Sequence, residues 1–267
     1  MIPRTTAAAL LFALAAGSPL RPAAHPAPNH VLWTFDRLED IGGVKTRVEG
    51  NPTIIETPFG KAIEFDGVDD GLWVEQHPLA GAATFTFEAI FRPDGGAAAA
   101  QRWFHLAERD PASGLLASPD HPTTGQDANT RMLFELRVVE SSWFLDAFVS
   151  GPGYSRALMF KDKLHPIGQW YHVAQTYDGT MFRSYVNGAL QGEAEIAFRP
   201  QGEGATSIGT RINRRSYFKG AVRQARFTTG ALPPEQFLKL ARASDVYSCA
   251  QARTPLNLAA STSNATK

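Results

Sequence analysis

The sequence predicts an all-β protein, an antiparallel two-sheet β-sandwich with one short C-terminal helix. From residue 31 to residue 227, short runs rich in Val, Ile, Phe, Tyr, Trp and Thr alternate with Gly, Pro, Asn and Asp. This is typical of strands separated by turns. Helical periodicity is nearly absent before residue 232. Short strands without crossover helices need a second sheet to cover their apolar face, which favours a sandwich.

One segment shows the two-residue alternation of a half-buried strand most clearly. In residues 84–91, Phe85, Phe87 and Phe91 fall on one side, and Thr86 and Glu88 fall on the other. The same reading predicts strands at 31–35, 62–65, 72–75, 84–91, 103–106, 132–138, 143–149, 170–177, 181–186, 206–208 and 221–227.

Two dipeptides predict tight hairpin turns. Asp178-Gly179 and Asn187-Gly188 bracket a short strand at 181–186. Asp-Gly and Asn-Gly tolerate the positive φ angles that such turns require. We therefore expect residues 181–186 to form a short strand in a meander.

The two ends of the chain lack the strand pattern of the middle. Residues 1–18 have the basic start, short apolar run and small residues of a signal peptide, which predicts a secreted or periplasmic protein. Residues 19–30 read as a linker, and 31–245 as one domain. Prolines before an apolar pattern predict a short helix at 232–242. Residues 246–267 read as a disordered tail.

Composition excludes several classes of protein. The chain has 267 residues, with 26 Lys and Arg against 26 Asp and Glu. This balance offers no basic surface for nucleic acid. No segment beyond the signal is long and apolar enough to span a membrane. The single cysteine, Cys249, cannot form an intrachain disulfide, so the core must hold the domain.

An ordered set of motifs resembles a known family. The motifs are AIEFDGVDD at 62–70, FTFEAIFRP at 85–93, WYHVAQTYDG at 170–179, SYVNG at 184–188, SIG at 207–209, FKG at 218–220 and GALPPEQF at 230–237. In this order they resemble the laminin G-like jelly-roll domain of the concanavalin A-like lectin/glucanase superfamily. The resemblance covers about 31–240 and implies a jelly-roll sandwich. One position departs from it: members commonly carry an acidic pair after Gly220, where this chain has Arg223-Gln224.

The motifs of several enzyme classes are missing. Glycosidases of this superfamily aim alternating carboxylates, Glu-x-Asp-x-Glu, from one strand into a groove. Glu64-Phe65-Asp66 comes nearest, but Gly67 follows at once and predicts a turn. Tyr171 and His172 would serve a lyase, yet adjacent strand residues point to opposite faces. We therefore assign no catalytic residue and interpret His172 as a hydrogen-bonded histidine of the sandwich.

Calcium is the cofactor that the sequence best accommodates. The resemblance implies that some members hold Ca²⁺ on loops at the sandwich edge. Asp66, Asp69 and Asp70 form the densest carboxylate cluster, and Ca²⁺ prefers oxygen ligands. The alternative is that these side chains only cap a turn.

Two loops are candidates for ligand recognition, because function usually lies on loops. The first is 211–217, where guanidinium groups and a phenol ring suit an anionic or hydroxyl-rich ligand. Its candidate binding residues are Arg211, Asn213, Arg214, Arg215 and Tyr217. The alternative is a solvated hairpin. The second loop, 108–131, is long and polar, and such length is uncommon without function or disorder.

These observations leave several functions open. The first is an exported, non-catalytic domain that recognises a glycan or an extracellular protein through Arg211, Asn213, Arg214, Arg215 and Tyr217. The second is a polysaccharide-active enzyme, a lyase or hydrolase, with its site in the loop 108–131. A scaffold or adhesive role without a small ligand is a third.

Overall fold

The computed structural model describes residues 29–118 and 130–240. The proposed signal peptide, most of the linker, the end of the predicted domain, Cys249 and the tail lie outside these ranges. The described residues form seventeen strands: β1 His30–Thr34, β2 Asp40–Ile41, β3 Val44–Glu49, β4 Thr53–Thr57, β5 Gly60–Asp66, β6 Gly71–Val74, β7 Phe85–Pro93, β8 Ala100–Glu108, β9 Arg131–Val139, β10 Ser142–Gly151, β11 Tyr154–Met159, β12 His165–Pro166, β13 Tyr171–Tyr177, β14 Met181–Val186, β15 Ala189–Glu195, β16 Gly204–Ile208 and β17 Lys219–Thr228.

The strands form two antiparallel sheets that face each other. Sheet 1 has the order β15-β14-β13-β7-β17-β5-β4, with β1 also pairing with β17. Sheet 2 has the order β11-β10-β9-β8-β16-β6-β3-β2, with β12 also pairing with β10. The predicted all-β sandwich is therefore confirmed. No helix within the described ranges has the length and apolar character needed to cross a bilayer.

Each strand predicted from the sequence exists. The strands that sequence reasoning missed are β2, β3, β4, β11, β12 and β15, which lie toward the edges of the sheets. Their signal is weak because many of their side chains are polar and exposed, as in β3 (VKTRVE) and β15 (ALQGEAE). An edge strand needs less apolar sequence than a central one, since part of it faces solvent.

Aromatic rings fill the space between the sheets. Phe87 of sheet 1 stacks on Phe134 of sheet 2, with ring centroids 3.7 Å apart. Phe91 stacks on Trp103 at 4.3 Å. All four side chains are at most 1% exposed. Contacts between aromatic rings add about 1 kcal/mol per pair beyond the burial of apolar area.

The two predicted hairpin turns are present. Asn187 and Gly188 both have positive φ, 50° and 80°, in a two-residue turn between β14 and β15. At the other turn, only Gly179 has positive φ. There Asp178 acts through its side chain instead, because Oδ1 accepts the N–H groups of Thr180 and Met181 at 2.9 and 2.8 Å.

The predicted C-terminal helix is reduced to one turn of 3-10 helix, Pro234–Gln236. The chain beyond it crosses the outer face of sheet 1, where Phe237 packs against the rings of His172 and Tyr185. The Leu238 N–H donates to Glu88 Oε1 at 2.6 Å rather than to a helical carbonyl. Contacts with the sheet therefore override the local helical pattern.

Glu88 anchors this C-terminal segment to the sheet. Its carboxylate is fully buried on the outer side of β7 and also contacts Arg226 and His172. The Nε2 atom of His172 lies 3.0 Å from Glu88 Oε1, which confirms the interpretation of His172 as a hydrogen-bonded histidine. Tyr171 faces the other way and contacts Trp143.

We expect Glu88→Ala to lower the free energy of unfolding by about 3–5 kcal/mol, because it leaves buried polar groups without their carboxylate. Urea denaturation followed by tryptophan fluorescence measures this. Glu56→Ala is the matched control, since Glu56 is exposed on the edge strand β4. Equal stability of the two variants would contradict the anchoring role.

Candidate functional site

The three predicted metal residues meet at the turn between β5 and β6. One ligand atom from each of Asp66, Asp69 and Asp70 lies within 4.8 Å of the others. Asp70 is only 3% exposed, and its two oxygens accept the N–H groups of Asn51 at 2.6 Å and of Asp66 at 2.8 Å. Asp66 Oδ1 accepts the N–H of Val68 at 2.8 Å. Turn capping is therefore real for Asp66 and Asp70.

The pKa values of Asp66 and Asp70 shift in opposite directions. Burial raises the pKa of Asp70, and the neighbouring charges of Asp66 and Asp69 raise it further. Burial also acts on Asp66, but hydrogen bonds from the following backbone amides outweigh it and lower the pKa of that carboxyl. The ionised form of Asp70 is thus destabilised by its surroundings, and a cation beside it would stabilise that form.

The donor set fits a hard cation. All available ligand atoms are oxygens, and carboxylate oxygens that accept one amide keep a second lone pair. Ligands within 4.8 Å of one another suit Ca²⁺, whose bonds of about 2.4 Å place opposite ligands about 5 Å apart. Gly50, at φ 72°, leaves room here, since a Cβ would lie 2.4 Å from Asp70 Oδ1.

A polar cavity of about 390 Å³ opens beside the corner, on the outer side of sheet 1. Lys219 contributes a positive charge to its wall, and the neighbouring Arg92 donates to Glu64 at 2.7 Å and to Asp94 at 2.8 Å. The lining residues are Asn51, Thr53, Glu64, Phe65, Asp66, Asp70, Asp94 and Lys219. Hydroxyl-rich ligands suit such a cavity, because carboxylates and ammonium groups offer directed hydrogen bonds.

The loop 211–217 is folded back on itself rather than free in solvent. Its backbone closes through Arg214 N–H to the Arg211 carbonyl at 2.8 Å and Arg211 N–H to the Arg215 carbonyl at 3.1 Å. Arg214 and Ser216 both adopt positive φ, 59° and 58°. Left-handed residues other than glycine cost about 1 kcal/mol or more and persist where surrounding contacts hold them.

Arg214 is held by a partner far away in sequence. Its Nε and Nη2 atoms donate to the two carboxylate oxygens of Glu49 at 2.7 and 2.6 Å, and its guanidinium lies 5.0 Å from the Trp73 ring centroid. The Glu49 hydrogen bonds raise the pKa of Arg214. The loop is therefore tied to β3 through Arg214, while Arg214 and Arg215 remain exposed at its surface.

Tyr217 connects the loop to the corner. Its side chain is half-buried, and burial, followed by the charge of Glu49, raises the pKa of its phenol. The charge of Asp69 acts in the same direction. Arg214 bonds to Glu49 and Asp70 bonds to Asn51, so the predicted ligand loop and the predicted metal corner are neighbours. We call residues 49–51, 66–70 and 211–217 the rim site.

The long loop 108–131 is described only at its two ends. Its first part packs on the outer face of sheet 2, where Ala117 joins a small apolar cluster with Trp73, Ala107 and Ile212. Residues 119–129 lie outside the described ranges. The two loops selected from the sequence therefore meet over Trp73.

The structure also pairs two carboxylates that sequence reasoning missed. Glu135 and Asp146 are cross-strand neighbours on β9 and β10, buried on the outer face of sheet 2. Burial raises the pKa of both, and the Asp146 charge raises that of Glu135 further. Each carboxylate contacts an arginine, Arg102 for Glu135 and Arg137 for Asp146. Only strand register reveals such a pair, because the two residues lie on different strands.

Arg223, where the sequence departs from the family pattern, lies on β17. Arg223 occupies the irregular step of β17 between Val222 and Gln224. Its guanidinium donates to the Phe59 carbonyl and to Gln224 Oε1, the latter at 2.7 Å. Arg223 therefore ties the β4–β5 turn to β17 and lies outside the rim site.

Comparison with solved structures shows the same fold in carbohydrate-related proteins. Domain 4 of AbnA, an extracellular GH43 arabinanase from Geobacillus stearothermophilus solved with arabinotriose, matches with a TM-score of 0.55 and 17% identity over 83% of this chain and 99% of its own. The Trypanosoma rangeli sialidase, in complex with the inhibitor DANA, matches with a TM-score of 0.51 and 13% identity over 76% of this chain and 31% of its own. At these identities the similarity establishes the fold alone.

Sequence comparisons identify the family. A search of curated proteins gives no significant match. A laminin G-like family model described as the concanavalin A-like lectin/glucanases superfamily matches residues 66–237, which include β6 to β17 and the segment over sheet 1. The chain therefore belongs to the laminin G-like family of the concanavalin A-like lectin/glucanase superfamily.

Proposed function

We propose that this chain is an exported, non-catalytic recognition domain that binds a glycan at the rim site, in a secreted or periplasmic location. The observation that carries the proposal is the meeting of three polar segments that are distant in sequence, two of which, 49–51 and 66–70, contribute to the wall of a cavity of about 390 Å³. Rigid polar turns on a sandwich edge suit hydroxyl-rich ligands, because such turns lose little conformational entropy on binding.

We further propose calcium as the cofactor of this site, held by Asp66, Asp69 and Asp70. The oxygen-only donor set and the short separations support this choice. A bound Ca²⁺ supplies positive charge beside the cavity. The backbone bonds of Asp66 and Asp70 preorganise the carboxylates, and Asp69 is exposed at the surface.

A polysaccharide-active enzyme is the second candidate function. The observation that favours it is the pair Glu135 and Asp146, since glycoside hydrolysis uses two carboxyl groups, of which the general acid has a raised pKa. Burial and the contacts with Arg102 and Arg137 oppose it, because a substrate would have to displace both ion pairs. We therefore prefer recognition without turnover.

We expect Ca²⁺ to raise the melting temperature of the purified domain relative to EDTA. At one hundred times the dissociation constant the gain is about 2.7 kcal/mol, or roughly 5–10 °C for a domain of this size. Asp69→Asn is expected to abolish the shift while leaving the melting temperature in EDTA unchanged. Within the described residues, the Asp69 carboxylate accepts no hydrogen bond that the fold requires. Differential scanning calorimetry measures both quantities.

Asp162→Asn is the matched control, since the Asp162 side chain is 80% exposed far from the corner in sequence. It should retain the full Ca²⁺ shift. A wild-type domain whose melting temperature is the same in Ca²⁺ and EDTA rules out the metal assignment, although it leaves glycan binding to be tested separately.

We expect the domain to retain one or more polysaccharides in affinity electrophoresis without releasing reducing or unsaturated ends. Arabinan enters the panel because the Geobacillus domain of similar fold was solved with arabinotriose. Tyr217→Phe should weaken binding about fivefold, the value of one net hydrogen bond of about 1 kcal/mol. Tyr185→Phe removes the hydroxyl of a ring that packs on Phe237, outside the residues of the rim site, and this variant should bind as the wild type does.

Two results would reject this proposal. One is the absence of retention by every polysaccharide in the panel. The other is product release that disappears in Glu135→Gln, which would establish the enzymatic alternative. If Tyr217→Phe and Tyr185→Phe bind equally, the ligand does not use the loop 211–217.

A further inference from the structure

Two arginines cover one tryptophan at the edge of the rim site. The guanidinium carbons of Arg47 and Arg214 lie 4.8 and 5.0 Å from the centroid of the Trp73 ring. Trp73 is consequently only 4% exposed, although it lies on the outer face of sheet 2. The two arginine side chains remain open to solvent, at 57% and 47% exposure. Their charged groups are therefore both fixed in position and exposed to solvent.

Both arginines share a single carboxylate. Arg47 Nη1 lies 2.9 Å from Glu49 Oε1, and Arg214 donates to both Glu49 oxygens. Hydrogen bonding from Arg214 lowers the pKa of Glu49. Two positive charges thus face one negative charge, and each guanidinium has five N–H donors, more than Glu49 can accept. The excess donors and the excess charge suit an additional anionic group.

His105 and Arg131 are buried on the same face of sheet 2 as Trp73. Burial, followed by the charge of Arg211, lowers the pKa of Arg131 to about 10. Burial, followed by the charges of Arg131 and Arg211, holds the pKa of His105 well below its ordinary value. The carboxylates Glu135 and Asp146 of this face are already paired with arginines.

We propose that Arg47 and Arg214, ordered on Trp73, bind an acidic group of the glycan ligand, a carboxylate or a sulfate. The geometry of Glu49 supports this assignment, because a carboxylate of the chain itself already makes the contacts that a ligand carboxylate would make. Exposed guanidiniums fixed against an aromatic ring lose little conformational freedom on binding. This inference rests on the proposed glycan-binding function and narrows its ligand to acidic polysaccharides.

The test uses three forms of one backbone: dextran, carboxymethyl-dextran and dextran sulfate of equal chain length. Binding of the full domain to each is measured by biolayer interferometry at low and at high salt. We expect binding to the carboxymethylated form, the sulfated form or both at least about tenfold tighter than to dextran, as charge-assisted hydrogen bonds are worth about 1.5–3 kcal/mol each. High salt should weaken this preference by screening.

The double variant Arg47→Gln with Arg214→Gln should lose the preference for the charged forms. Arg37→Gln is the control for loss of positive charge, since Arg37 is 62% exposed and pairs with Asp36 away from the rim site. It should retain the preference. Thermal melting checks that each variant is folded. A double variant that keeps the wild-type preference overturns the inference.

A second variant distinguishes ligand binding from a merely structural cluster. Glu49→Gln removes the internal carboxylate that competes for both arginines, so binding of the charged dextrans should strengthen by about threefold or more while the melting temperature falls slightly. If the cluster only stabilises the fold, the same change lowers the melting temperature without strengthening binding, and this outcome also overturns the inference.

The two proposals fail in different ways. Absence of binding to both charged dextrans rejects the acidic-ligand inference, and neutral polysaccharides still bound in a Tyr217-dependent manner would leave the glycan-binding function intact. No retention of any polysaccharide, charged or neutral, rejects both.

Discussion

The aromatic layer between the two sheets determines which side chains of each strand face inward and which face outward. Phe87 and Phe91 of sheet 1 pack against Phe134 and Trp103 of sheet 2, and these side chains leave no freedom in register. A shift of one residue would turn every inward ring outward. The outward set is determined by the same packing. Glu88, Glu135 and Asp146 are therefore placed on outer faces, where they need partners.

The buried carboxylates on the two outer faces have different kinds of partner. On sheet 1, the segment after β17 covers Glu88 and brings it the Leu238 N–H. On sheet 2, Arg102 and Arg137 cover the acidic pair, and loop residues such as Ile212 pack on Trp73. Covered outer faces leave the edges of the sandwich as the places where polar turns meet solvent. The rim site lies at such an edge, with negative charge at Asp66–Asp70 and positive charge at Arg47 and Arg214.

Side chains of the rim site that stabilise the turns also offer groups that can bind a ligand or a cation. Asp70 fixes the backbone of Asn51 and of Asp66 with its two oxygens, and the same oxygens remain candidates for a cation. Capping and metal binding, two alternatives for this cluster at the level of sequence, are compatible in three dimensions. Similarly, the ion pair of Arg214 with Glu49 orders the loop 211–217 and presents an accessible guanidinium.

Short-range sequence patterns were enough to predict the fold class, the central strands, the turn at Asn187-Gly188 and the carboxylate cluster at 66–70. These depend on interactions between residues close in the chain, namely two-residue alternation, left-handed turn residues and short-range capping. Tertiary structure alone decided that the C-terminal apolar pattern would run extended over sheet 1, and that Glu49, Trp73 and Arg214 would meet. Glu49 and Arg214 are 165 residues apart in sequence. Contacts at such separation follow from strand order and register, which the packing of the whole core selects and which no local pattern encodes.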